Sequence, residues 1–209
     1  LPDTPVDYLV FSSGAGILDW KTKSILFQSS ISREEVLRIE KILKSHHYSF
    51  SIQLAIPDNH KYYFYKGKAS DTDFEYRNKL YQEFCQELLG NFPLEHASQF
   101  LIFLQDENEL EKLFEIADGY NAIRATSPID GKSIWLEIFD KNISKASGGR
   151  FLCNMLGIPE NKTLALGNDY NDLQMLEWAN TSYMVENAPD PIKTGCKICT
   201  NNRNNPLSD

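Results

Sequence analysis

The stretch Leu164 to Leu176, LALGNDYNDLQML, limits what this chain can fold into more than any other. A short apolar run breaks at Gly167, and Asn168, Asp169, Asn171 and Asp172 follow before the helical run Leu173-Gln174-Met175-Leu176 begins. Strand, polar loop and helix in that order form the repeating unit of open parallel α/β sheets. The loop then lies beyond the carboxyl end of the strand, where such sheets bind ligands. Clustered amide and carboxylate oxygens suit a hard cation such as Mg²⁺, and the loop N–H groups suit a phosphoryl group. Asn and Asp are also favoured in helix caps and turns, so the same residues read equally as a well-capped strand-to-helix turn.

A second feature lies upstream. Ser144-Lys145-Ala146 opens a predicted helix reaching about Leu156, with Phe151, Leu152, Met155 and Leu156 as its apolar side. A lysine in the first turn opposes the helix dipole by roughly 0.3–1 kcal/mol. That placement is explained if Lys145 and the free amides of the turn face an anion. The plainer alternative is a solvated surface lysine.

Together these residues resemble the Cof-type phosphatases of the haloacid dehalogenase-like hydrolase superfamily. In that family a lysine at a helix start follows a phrase similar to Leu136-Glu137-Ile138-Phe139 and precedes a G-[DN]-x-x-N-D loop, as Lys145 precedes Gly167 to Asp172. Met175-Leu176, Ala179 and Asn187-Ala188-Pro189 also resemble the family pattern, and Phe11-Ser12-Ser13-Gly14-Ala15 resembles its F-N-G-A phrase. The implied fold is α/β: a Rossmann-like doubly wound parallel core sheet, incomplete at the N-terminus, with an inserted α+β cap domain. The expected division is core over 1–20, cap over 21–140 and core again over 141–209.

Departures from the family bear on mechanism. Its D-x-D-G-T nucleophile phrase and its later T-G-R phrase are absent from these residues. Asp71-Thr72-Asp73 has the D-x-D letters, but no apolar strand precedes it, and it reads as the cap of a helix starting near Phe74. In the family both missing phrases lie upstream of the segment matching Phe11 to Ala15. The expectation is therefore an N-terminal truncation lacking at least one β-α unit of roughly 30 residues. Ser13 stands where the family usually has Asn, and Asn168 where many members have a metal-binding Asp.

The resemblance implies Mg²⁺-dependent hydrolysis of small phosphate monoesters, sugar phosphates foremost, through an aspartyl phosphate whose aspartate is missing from this chain. It implies that Lys145 and Asp172 are catalytic, that Lys145, Asn171, Ser12, Ser13 and Gly14 meet the phosphorylated substrate, and that Asn168 and Asp172 serve the metal. The competing expectation is an inactive protein that binds phosphorylated ligands or a partner chain.

Composition narrows the partners. At 209 residues and 42% hydrophobic the chain can bury a substantial core. A net charge of −8 without any basic run disfavours nucleic acid. No apolar run approaches the roughly 18 residues of a membrane span, and the expected location is cytoplasmic. Cys85 and Cys153 read as buried helical residues, and Cys196-Lys197-Ile198-Cys199 as part of a late core strand. Between the two core segments, the sequence predicts helices near 32–43, 74–89 and 107–117 among several strands, with the helices on one face of a sheet. Tyr62, Tyr63 and Tyr65 are candidates for sugar contact, though sheet packing is the commoner use of such residues.

Overall fold

The computed structural model describes residues 6–67, 72–104, 106–195 and 197–199. The chain divides into two compact units, Leu1–Ser24 with Ser144–Asp209, and Ile25–Ile143. These joins lie a few residues beyond the 20/21 and 140/141 boundaries of the sequence reading.

The first unit opens with β1 (Tyr8–Phe11) and β2 (Gly16–Asp19), which pair antiparallel with Phe11 opposite Gly16. The second unit runs β3 (Ile25–Gln28), β4 (Ile31–Ser32), α1 (Arg33–Ser45), β5 (Ser49–Leu54), β6 (Tyr62–Tyr65), α2 (Thr72–Leu80), β7 (Cys85–Glu87), β8 (His96–Leu104), α3 (Leu110–Ile116), β9 (Asn121–Thr126) and β10 (Ile134–Phe139). The chain then returns to the first unit with α4 (Lys145–Leu156), β11 (Leu164–Gly167), α5 (Leu173–Trp178), β12 (Thr181–Val185) and β13 (Lys197–Cys199).

In the second unit one sheet has the order β7-β6-β5-β8-β10-β9, and β4 pairs with β8. Strand β8 organises both faces because its side chains alternate. Phe100, Ile102 and Leu104 pack with Val36, Ile39 and Leu43 of α1 and Leu110 and Leu113 of α3. Leu101 and Phe103 pack on the opposite side with Phe74 of α2 and with Trp135. Helices therefore cover both faces, where the sequence predicts one.

Helix α2 also ends earlier than its sequence predicts, at Leu80 rather than Leu89. Residues Cys85 to Glu87 leave the helix to pair parallel with β6, Tyr62 opposite Cys85 and Phe64 opposite Glu87. Cys85 is thus a half-buried strand residue, not a helical one. Nor is Asp73 the cap of that helix, since it lies within the first turn of α2. Its buried carboxylate accepts hydrogen bonds from Ser127 Oγ at 3.0 Å and Trp135 Nε1 at 2.6 Å, tying α2 to β10 and to the turn after β9. Asp71 lies outside the described residues.

The tyrosines of β6 are packing residues. Tyr62 is buried beneath the Arg77 guanidinium, 4.1 Å from its ring centroid. Burial pushes the Tyr62 phenol up and the Arg77 guanidinium down from their ordinary pKa values. Tyr63 meets Phe92 edge-on, and Tyr65 stacks on Phe50.

Helix α1 starts where its sequence says it should. Ser32 Oγ accepts the Glu35 N–H, and the Glu35 carboxylate accepts the Ser32 N–H at 3.1 Å, a reciprocal cap. The Ser32 hydroxyl holds the Glu35 carboxyl below its ordinary value of 4.5.

In the first unit β11, β12 and β13 form a parallel sheet in that order, with Gly167 opposite Met184. Ala165, Leu176, Met184, Val185, Ala188 and Ile192 make its core. Helix α4 buries Ala146, Gly148 and Cys153, while the predicted apolar residues Met155 and Leu156 are exposed. A 3₁₀ turn, Tyr170–Asp172, precedes α5. Cys196 and residues 201–209 lie outside the described residues, and no described helix is long and apolar enough to cross a membrane.

Two stability outcomes follow from these contacts. Asp73→Ala strands a buried indole N–H and a buried hydroxyl, so denaturant unfolding should report a loss of about 3 kcal/mol; a loss under about 0.5 kcal/mol contradicts the contact. Ser32→Ala should cost about 1 kcal/mol at neutral pH. Because the folded Glu35 pKa is depressed, that contribution is present above the unfolded value and is lost as pH falls through the folded one. The cost of Ser32→Ala should therefore shrink in unfolding experiments carried progressively below pH 4.5.

Candidate functional site

Lys145, Asn168, Asn171, Asp172 and the Ser12–Gly14 turn all belong to the first unit. Ser144 is the N-cap of α4, its hydroxyl accepting the Ser147 N–H at 3.0 Å while Ser147 Oγ accepts the Ser144 N–H at 2.9 Å. That cap makes Lys145 the first helical residue. Its ammonium donates to Asn171 Oδ1 at 3.0 Å and to Asp172 Oδ1 at 2.6 Å. The Asp172 side chain is only 5% exposed and that of Lys145 30% exposed, so the pair is partly shielded but open to solvent on the lysine side.

Asp172 is positioned from the other end as well. Its Oδ2 accepts the backbone N–H groups of Asn168 at 2.7 Å and Asp169 at 3.2 Å. The turn folds this tightly because of Gly167: a Cβ there would come within 2.7 Å of the Asp172 Cβ and 2.8 Å of Leu176 Cδ1. The loop is a capped turn, and two of its side-chain oxygens meet the Lys145 ammonium.

The Ser12–Gly14 turn packs against the start of α4. A Cβ on Gly14 would lie 2.1 Å from the Ser144 carbonyl oxygen, and Gly14 has φ +103°. Ser12 and Ser13 also have positive φ, 46° and 49°. Left-handed backbone costs a non-glycine residue roughly 1–2 kcal/mol, so two adjacent serines held there are a strained segment fixed by its surroundings. Sequence reading finds this turn but not its handedness, nor the close packing of Gly14 against Ser144.

Asp169 is named in the loop by the sequence reading without a role. It stands at the N-cap of the Tyr170–Asp172 turn, where its carbonyl oxygen accepts the Asp172 N–H at 3.0 Å. The signal was available: D-x-x-D spaced as a capping box.

Mg²⁺ fits this loop as a partial set of ligands. Asn168 is exposed at the end of β11 and its side chain offers one carbonyl oxygen. Asp172 has given Oδ2 to two N–H groups and Oδ1 to Lys145, which leaves about one of its four lone-pair directions. Among the described residues no group of three His, Cys, Asp or Glu side chains is gathered for a metal. Mg²⁺ commonly takes one or two carboxylates and fills its shell with water and substrate phosphate, a habit these two residues can serve.

Gly14→Ala should disturb this geometry directly. The added methyl meets backbone rather than a yielding side chain, so a loss of at least about 1–3 kcal/mol is expected in thermal or denaturant unfolding. Unchanged stability would mean that the turn does not sit against Ser144.

Comparison with known proteins places these features. A family model described as haloacid dehalogenase-like hydrolase matches residues 2–206. A candidate phosphatase of Haemophilus influenzae is 36% identical over 70 residues, which cover 34% of this chain and 27% of that protein. YxeH, a candidate phosphatase of Bacillus subtilis, is 20% identical over 209 residues, covering 95% of this chain and 72% of its own. The crystal structure of SMU.1108c from Streptococcus mutans superposes with a TM-score of 0.75 at 21% identity, covering 96% of this chain and 73% of that one. A sugar phosphatase of HAD subclass IIB gives a TM-score of 0.73 at 15% identity, covering 97% and 74%. With a parallel sheet, a capped polar loop at its carboxyl end and a family match across nearly its whole length, the chain belongs to the haloacid dehalogenase-like hydrolases.

Proposed function

We propose that this chain supplies the phosphate-facing part of a Mg²⁺-dependent phosphatase acting on small phosphate monoesters, with sugar phosphates as the substrate class. The observation that carries the reading is the Lys145 ammonium, fixed at the first turn of α4 by Asn171 and Asp172. A helix start already favours anions, and a lysine placed there adds full charge in a partly desolvated setting. The phosphatase names of relatives and the sugar-phosphatase title of one structural neighbour support the class of reaction.

On this reading an aspartate carboxylate attacks phosphorus, the bond from phosphorus to the substrate oxygen breaks, and that oxygen takes a proton from a second acid. Water then attacks the aspartyl phosphate, loses a proton to the same group, and releases inorganic phosphate with the aspartate restored. Neither acid is assigned among these residues, which lack the D-x-D-G-T phrase. The only letters resembling it end in Asp73, whose carboxylate is buried against Ser127 and Trp135.

Lys145 neutralises charge on the transferring phosphoryl oxygens. On this reading Asn171, whose Oδ1 accepts from Lys145, would donate its amide N–H₂ to the same group, and the Ser12–Gly14 turn would border the site. Bound Mg²⁺, held in this chain by Asn168 and Asp172, would polarise the phosphoryl oxygens. The second unit is the cap domain of this reading, and the setting is cytoplasmic.

The test is phosphate release from a panel of sugar phosphates by the native polypeptide, with Mg²⁺ and with EDTA. Turnover should require Mg²⁺, and Lys145→Ala should lower kcat/KM by about 10²–10³-fold. Binding of inorganic phosphate without any hydrolysis would replace catalysis with ligand binding.

A further inference from the structure

We propose that the second unit holds a site for a small polyhydroxy carboxylic acid, with Arg77 taking the carboxylate and Gln53 a hydroxyl. Two buried polar atoms carry the proposal. Arg77 Nη1 and Gln53 Oε1 are both enclosed without a hydrogen-bond partner. Buried polar groups in folded proteins are nearly always paired, and buried charges most strictly of all. At each of these atoms a ligand gains a hydrogen bond without taking one from the fold.

The two atoms belong to one neighbourhood. Gln53 of β5 lies directly opposite Tyr62 of β6, so their side chains share a face of the sheet. Arg77 of α2 stacks on that same Tyr62 ring, 4.1 Å from its centroid, with Tyr81, Trp135 and Phe103 at 5.6, 5.9 and 6.0 Å. Gln53 is 5% exposed, and its amide nitrogen donates to Ser51 Oγ at 2.9 Å, which orients the amide and leaves its oxygen to accept. Arg77 is partly exposed, which gives a ligand a way in.

Charge selects the anion. Burial already pushes the Arg77 pKa down, the sign of a desolvated cation. The acid one turn earlier, Asp73, accepts from Ser127 Oγ and Trp135 Nε1. A carboxylate carries one charge, balances one guanidinium and fits its planar fork. A phosphate monoester carries nearly two, and the excess would stay uncompensated near buried Asp73. The hydroxyl follows from Gln53 Oε1, an acceptor that only a donor satisfies.

The test is calorimetric titration of the native polypeptide, below each variant's melting temperature, with two probes. Gluconate is a polyhydroxy acid without phosphate, and hexanoate has the carboxylate but no hydroxyl. Gluconate should bind saturably to the wild type, and R77M should weaken it at least about tenfold, as expected when hydrogen bonds to a charged group are removed. R77K keeps the charge but loses the fork, so its affinity should fall between those two. Q53L should weaken gluconate about threefold and leave hexanoate unchanged.

No gluconate binding by the wild type up to about 10 mM overturns the proposal without recourse to any variant. Gluconate binding that R77M and R77K both leave intact overturns it too. Inorganic phosphate that binds at least as tightly as gluconate, and is lost equally in R77M, would mean that Arg77 takes oxyanions by charge alone, and the carboxylate assignment would fall. None of these readouts depends on hydrolysis of a phosphate ester.

Discussion

The ion pair between Lys145 and Asp172 joins two stretches of chain that are otherwise separate: the start of α4 and the turn after β11. Each partner is awkward by itself. A lysine in a first turn opposes the helix dipole, and a carboxylate this buried needs donors for both oxygens. The fold answers both at once, because two loop N–H groups take Oδ2 and the ammonium takes Oδ1. What surrounds the pair is arranged to permit it: the Ser144 cap that starts α4, the missing Cβ of Gly167 under Asp172, and the missing Cβ of Gly14 against Ser144. A salt bridge of this sort contributes little net stability once desolvation is counted. Its physical meaning is orientation, a positive charge held at a helix start already short of acceptors.

Where the chemistry is local, the sequence was readable. The polar loop, the Ser32 cap and the strand-helix alternation of β11, α5 and β12 depend on residues within a few positions of one another, and turn and cap preferences act at that range. The Lys145 helix start was legible for the same reason, because Ser144 announces it. Partners were harder. That Asp172 would meet Lys145 depends on packing between α4 and the β11 loop, and no periodicity encodes it.

The misreadings share a cause. From Phe74 to Leu89 the apolar spacing suits a helix, and only the pairing of Cys85 to Glu87 with β6 withdraws the second half from it. Asp73 resembles a cap because caps are the usual place for Asp before a helix; the distant Trp135 and Ser127 make it a buried acceptor instead. Helices on both faces of the large sheet follow from the same nonlocal fact. Phe74 meets Leu101 and Phe103 rather than Phe100 and Ile102, and alternation along β8 then decides the face. The left-handed serines at 12 and 13 lie beyond any composition rule, since serine does not choose that conformation by itself.

Charge in the loop bears on how a metal would be held. The turn carries two carboxylates, but Asp169 is buried and Asp172 is shared with a lysine 2.6 Å away. Asn168, the exposed residue at the strand end, is neutral. A divalent ion drawn to this loop therefore meets one amide oxygen and a carboxylate whose charge is already largely compensated. Hard cations are retained by the number and charge of their oxygen ligands. On the proposed reading, then, most of the negative charge that holds Mg²⁺ comes from the nucleophilic carboxylate and from the substrate phosphate itself. Metal affinity and substrate affinity are thereby linked: each should rise in the presence of the other, because each supplies charge that this loop lacks.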